Sequence, residues 1–180
     1  SAYYGASVFR SNDGGLTYSL NLYRTPQSYM GVTTTALASG PTFYWDDANT
    51  LDVVMSHGTL ESRPAVDVLN GFNAALVGDE IIQFTTALLI APNTYRLSGL
   101  LRGRLGTEHK VASHGAGEGF VLLSSAMLGR LTVPSSDWFQ SRLFRVGPAT
   151  LPVTNHLYQN KHFNSQGIMA LPLSPCHVAG

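Results

Sequence analysis

The chain has 180 residues, 44% of them hydrophobic and only 12% charged, with 11 Lys plus Arg against 11 Asp plus Glu. So apolar a composition, with about half the usual ~25% charged share, excludes a disordered segment, and zero net charge leaves no overall field to attract nucleic acid or an anionic membrane. The single cysteine, Cys176, excludes an internal disulfide and lacks the partners of a zinc site, and no apolar run approaches the ~20 residues of a membrane-spanning helix.

Period-two patterns dominate the text, which predicts a mainly β fold. "YYGASVFRS" reads as a first strand, stopped by "NDGG", a turn of residues that tolerate positive φ. "LTYSLNLYRT" alternates Leu16, Tyr18, Leu20 and Leu22 with more polar positions and should pair back as a hairpin. "YMGVTTTAL" and "TLDVVMSHG" complete a first block of strands over 1–60. Residues 61–78 read as a connector with at most a helical turn over 65–69. A meander with a glycine-punctuated loop follows over 79–145. In it, "DEIIQFTTALLI" places Ile82, Phe84, Thr86, Leu88 and Ile90 on one face, "TYRLSGLL" returns the chain, and "GEGFVLLSS" adds a third strand. "SSDWFQSRLFRV" is open between a strand and a short capped helix. Residues 146–180, with four prolines and little periodicity, read as an extended arm leading to a following domain. The expected architecture is a small antiparallel β-barrel or sandwich with this Pro-rich C-terminal arm. It forms one compact unit cut from a longer polypeptide, with a core around Val8, Leu20, Val53, Phe84, Leu97 and Phe120.

The densest cationic stretch is "YRLSGLLRGRLGTEHKVASHG", with Arg96, Arg102 and Arg104 in a segment broken by Gly103, Gly106 and Gly115. Along the strand, Tyr95, Leu97, Gly99 and Leu101 share a core-like face, and Arg96, Ser98, Leu100 and Arg102 share the other. Gly103 and Gly106 supply the backbone angles of a tight reversal. Thr107 and Glu108 can bond the loop's own amides, and Glu108 can pair with Arg102 or Arg104. In that reading Arg102 clamps the loop with a planar fork of donors that Lys cannot imitate, and Arg102→Ala costs roughly 1–3 kcal/mol. The alternative is a cationic loop holding a phosphate or carboxylate ligand.

"GDEIIQFTTALLIAPNTYRLSGLLRGRLGTEHKVASHGAGEGFVLL" resembles a segment of the tail-tip (baseplate hub, host-specificity) proteins of long-tailed phages and gene transfer agents. The matching positions are Gly78, Asp79, Glu80, the run 97–103, the run 106–108, His114 and Gly117. "SVFRSNDGG", "VGPATLPV" and "LPLSPCHV" extend the likeness toward both ends, and it is to that family's carboxyl-terminal region. The resemblance implies a non-enzymatic structural part of a virion at the distal end of a tail, contributing to tip assembly and host attachment. Its partners would be other tail-tip and baseplate proteins, with a homotrimer in the full-length protein. It assigns no catalytic residue and no cofactor, and makes Arg102, Gly103, Gly106, Thr107, Glu108 and His114 a structural loop motif.

Other constellations were weighed beside that reading. Tyr44, Trp45, Asp46 and Trp138 are candidates for binding a host surface glycan or receptor, because flat apolar rings stack on sugars and carboxylates bind hydroxyls. Asp46 and Asp47 are adjacent on the chain and so face opposite ways, which makes them a poor glycosidase pair. Asp46 and Asp47 with Asn49 and Asp52 could offer oxygens to calcium, without the EF-hand spacing. The six histidines include no spacing suited to a metal on one helix face, so no metal site is assigned, and loop hydrogen bonding is the expected role of His114. "GAGEG" precedes a strand instead of opening a helix, which sets aside a dinucleotide site. Cys176 reads as a small half-buried thiol.

Overall fold

A computed structural model describes residues 5–112, 114–129, 131, 134–137 and 139–163. They fall into two compact units, one of residues 5–27 with 125–163 and one of residues 28–124. The strands expected as one block over 1–60 are divided between the two. No helix among the described residues is long and apolar enough to cross a membrane.

The first unit is a four-stranded antiparallel sheet. Strand β1 (Ala6–Ser11) pairs with β2 (Ser19–Arg24) as the expected hairpin. The "NDGG" turn closes on Asp13, which accepts hydrogen bonds from the Ser11 hydroxyl at 2.7 Å and the Thr17 amide at 3.0 Å, and from the Thr17 hydroxyl. Those donors, Thr17 first, hold its carboxyl far below the ordinary carboxylate range. The ambiguous stretch near 135 is partly helical and partly extended: one 3-10 turn at Ser135–Asp137, then a long strand, Gln140–Pro148. Asp137 is buried in this unit between Arg10 at 2.6 Å and Arg142 at 3.0 Å.

Two expectations fail in this unit. Val8 is only half-buried and Leu20 is 58% exposed, so neither is core; Leu20 sits on β2, which lies at the sheet edge. The first part of the supposed arm is also regular, because Leu157–Phe163 runs back along Gln140–Pro148 in register, Leu157 opposite Val146. The rest of that arm, with Cys176, lies outside the described residues.

The second unit is a closed antiparallel barrel of six strands. In chain order these are β3 (Met30–Thr33), β4 (Leu51–His57), β5 (Ala74–Val77), β6 (Glu80–Ala91), β7 (Thr94–Leu101) and β8 (Gly119–Leu122), and around the wall they run β3-β4-β7-β6-β5-β8. Leu51, Val53 and Met55 of β4, Ile82 and Phe84 of β6, Leu97 of β7 and Phe120 of β8 fill the interior, and Leu37 and Leu60 join the same cluster. The short helix α1 (Ala65–Leu69) forms where the helical turn was expected, directly after Pro64, and buries Val68. Its open carbonyl end is closed by Gln83, whose amide donates to the carbonyl of Val68 and to that of Phe72 at 3.0 Å.

Three features of the barrel depart from the sequence reading. The connector contains β5, a four-residue strand whose "AALV" is too short and too rich in Ala to show a period. Strand β8 is not the third strand of a meander; it closes the barrel between β3 and β5, a long-range pairing that leaves no mark in local alternation. The faces of β6 and β7 also fail to keep one phase. Leu97 and Leu100 are both fully buried although they are an odd number of residues apart, while Leu88 and Ile90 are exposed. The change comes at Gly99, which takes φ +61°. A Cβ there would lie 2.1 Å from Thr85 Oγ1 on the partner strand, so the hairpin can bend sharply only with glycine at that corner.

Candidate functional site

Strand β7 delivers Arg102 to the mouth of the barrel, and Gly103, in the left-handed region at φ +60°, turns the chain immediately afterwards. Strand β6, the neighbour of β7 in the barrel wall, begins at the same mouth with Glu80. Both side chains are sealed from solvent. Arg102 donates from Nε and Nη2 to the two oxygens of Glu80, each at 2.8 Å, and from Nη1 to the carbonyl of Ala38 at 2.8 Å and to Asp46 at 3.3 Å. All three guanidinium nitrogens are therefore committed inside the protein, and the group is unavailable to a phosphate or carboxylate ligand. The planar fork matches a carboxylate edge-on, which an ammonium cannot do.

Glu80 accepts from the Gly103 amide at 2.8 Å and lies 2.8 Å from His114 Nε2. The other ring nitrogen of His114 lies 2.7 Å from Glu118. Each ring nitrogen of His114 therefore faces a carboxylate oxygen. Glu118 also accepts from the Gly115 amide at 2.8 Å, and these donors, His114 first, hold its carboxyl below its usual range. The backbone carries the same connection, because His114 and Leu37 exchange amide bonds at 2.8 and 3.0 Å.

Asp46 anchors the third side. Its backbone bridges to Leu100, and its carboxylate accepts from the Asn49 amide and side chain at 3.1, 3.0 and 2.9 Å as well as from Arg102. Gly40 is needed at this point, since a Cβ would sit 2.3 Å from Asp46 Oδ2. The loop beyond is tied down in turn. Arg104 donates to Gln83 at 2.8 Å, and the Thr107 hydroxyl accepts from the Ile81 amide at 2.9 Å and donates to the Arg104 carbonyl at 2.8 Å. Gly106 takes φ +89°.

Of the expected loop residues, Arg102, Gly103 and His114 meet around Glu80, while Gly106 and Thr107 shape the following turn. Glu108 does not pair with either arginine: Arg102 is taken by Glu80 and Asp46, Arg104 faces Gln83, and Glu108 Oε2 is buried without a hydrogen-bond partner among the described residues. Sequence reasoning gave no role to Glu80, Gln83, Glu118 or Gly40. The available signal was a charged Glu opening a strand whose next four residues are apolar or amide.

Tyr44 is exposed, Trp45 is half-buried, and Trp138 lies outside the described residues. Asp46 is 1% exposed and its oxygens are occupied, so it is a structural partner of Arg102 and not a sugar ligand. The calcium grouping fails for the same reason. Asp46 faces one guanidinium, and Asp52 is held by another, Arg96, at 2.8 and 2.7 Å, whose hydrogen bonds lower its carboxyl. The described residues include no cluster of three or more His, Cys, Asp or Glu arranged to hold a metal.

A closed six-stranded barrel whose mouth is fastened by an internal ion cluster defines a compact β-barrel module. The family model described as "Rcc01698-like, C-terminal" matches residues 28–121, just over half the chain and nearly all of the barrel unit, and the chain belongs to that family. The protein for which the family is named is associated with a gene transfer agent. A comparison with curated proteins finds no match.

Proposed function

We propose that the chain is a non-enzymatic structural part of the tail tip, or baseplate hub, of a phage or phage-like gene transfer particle, where it contributes to assembly of the tip and to host attachment. The membership of the barrel in a family named for a gene-transfer-agent protein carries the reading. The chemistry of the mouth supports it: the buried Arg102 guanidinium and its carboxylates are spent on one another, as suits a part that must hold shape. Immunogold electron microscopy of intact particles with antibody to residues 28–124 tests it. Label at the distal end of the tail is expected; label on the head, or particles without the protein, would overturn the reading.

One observation favours a second reading, a module that binds host surface glycans. Phe43 and Tyr44 are 65% and 67% exposed as neighbours on one loop, which offers ring faces to sugars. A glycan array separates the two, because sugar binding that disappears in Tyr44→Ala belongs to the second reading alone.

A further inference from the structure

Among the described residues of the barrel unit, the non-glycine positions at positive φ are Asn73, Asn93 and Leu105. Asparagine visits that region readily, whereas a leucine does so only under strain, because its Cβ crowds the following carbonyl. Gly103 and Gly106, on either side of Leu105, take the same region without strain. The barrel interior makes no use of a side chain at 105 either: Leu105 is 68% exposed, the highest value among the large hydrophobic residues of this unit. A glycine would serve the turn better. The leucine is nevertheless held in place from both sides. Arg104 Nε donates to Gln83 at 2.8 Å, and the Thr107 hydroxyl donates to the Arg104 carbonyl at 2.8 Å. The residue before it is also set apart. The Lys and Arg residues of 28–124 are Arg63, Arg96, Arg102, Arg104 and Lys110. Four of these face a carboxylate: Arg63 with Glu61 at 2.9 Å, Arg96 with Asp52 at 2.7 Å, Arg102 with Glu80 at 2.8 Å, and Lys110 with Asp79 at 3.2 Å. Arg104 has no carboxylate partner among the described residues; its Nε goes to a neutral amide, and its two terminal nitrogens have no acceptor there.

We infer that the Arg104–Leu105 tip is a docking anchor for a neighbouring protein of the tail tip, one that presents an apolar socket with a carboxylate at its rim. The exposed aliphatic side chain calls for the socket. The unpaired guanidinium, with its planar pair of terminal donors, calls for the carboxylate. Together these demands select a protein over other occupants. A sugar has no hollow to receive an aliphatic side chain. A lone leucine offers a bilayer far less apolar area than a single acyl chain, which itself gives only marginal membrane binding. A protein surface supplies both a socket and a fixed acid beside it. A tip that is ordered before contact also loses little freedom when it docks. The inference deepens the tail-tip reading and rests on it for the identity of the neighbour as a tip protein.

The test counts the chain in purified particles by mass spectrometry, relative to a head protein, alongside thermal melts of each variant. The wild-type chain should be present. Leu105→Gly should melt within about 3 °C of the wild type, because relief of the left-handed strain offsets the looser unfolded chain, yet it should fall at least tenfold in the particles. Arg104→Glu, which sets like charges against each other across the contact, should fall as far. Leu105→Asn, whose side chain tolerates the left-handed region, serves should the glycine variant fold poorly. Wild-type levels of a folded Leu105 variant, or of a folded Arg104→Glu variant, would overturn the inference and leave the tail-tip reading standing. Particles that lack even the wild-type chain would overturn both.

Discussion

A guanidinium buried without partners costs several kcal/mol, and a buried pair broken on one side typically costs about 3–5. Arg102 escapes the first cost by placing all three nitrogens on Glu80, Asp46 and Ala38. The geometry therefore raises the expectation for Arg102→Ala above what spacing alone suggested, to about 3–5 kcal/mol, read by urea denaturation. Arg102→Lys should recover less than half of that loss, because one ammonium cannot reach both Glu80 oxygens and the Ala38 carbonyl together. A pH effect belongs at the same scale. Glu118 and Asp52 have carboxyls lowered by folding, so they contribute stability above their unfolded values, and that stability is lost as pH falls through the lowered ones. The melting temperature should hold from neutrality to about pH 5 and drop below about pH 4, with a shallower drop in Glu118→Gln. A drop as steep in that variant as in the wild type would remove Glu118 from the account.

At the scale of elements, the loops do the specifying. Gly99→Ala should cost about 1–3 kcal/mol, since the new Cβ meets Thr85 and the backbone is left-handed; Gly71, also at positive φ but with nothing within 4 Å, should lose less when changed to Ala. Thermal melts of the two variants compare them directly. What could be read beforehand followed the same physics. The β1–β2 hairpin was legible because "NDGG" sits between two alternating runs, and the 65–69 turn because Pro64 precedes a short helical pattern. The role of Arg102 was legible from the glycines beside it, whereas its partners were not. Glu80 and Asp46 lie 22 and 56 residues away along the chain, and nothing local says which carboxylate a buried arginine will meet. Strand β5 was lost for want of length. The phase change in β6 and β7 was lost because a bend of paired strands is a property of the pair.

For the whole molecule, the barrel closes on itself within residues 28–124 through the β3–β8 pairing, and the family match covers nearly the same span. That fragment expressed alone should fold cooperatively, with one sharp thermal transition and dispersed amide resonances; an unfolded fragment would mean the barrel needs the remainder of the chain. The central claim is that the mouth of this barrel is held by the Arg102–Glu80 pair, and a double-mutant cycle with Arg102→Met, Glu80→Met and the combination measures it most directly. The account predicts that each single change is strongly destabilising and that the double variant loses about 2–3 kcal/mol less than the two single losses added together. Losses that simply add, to within about 0.5 kcal/mol, would contradict it.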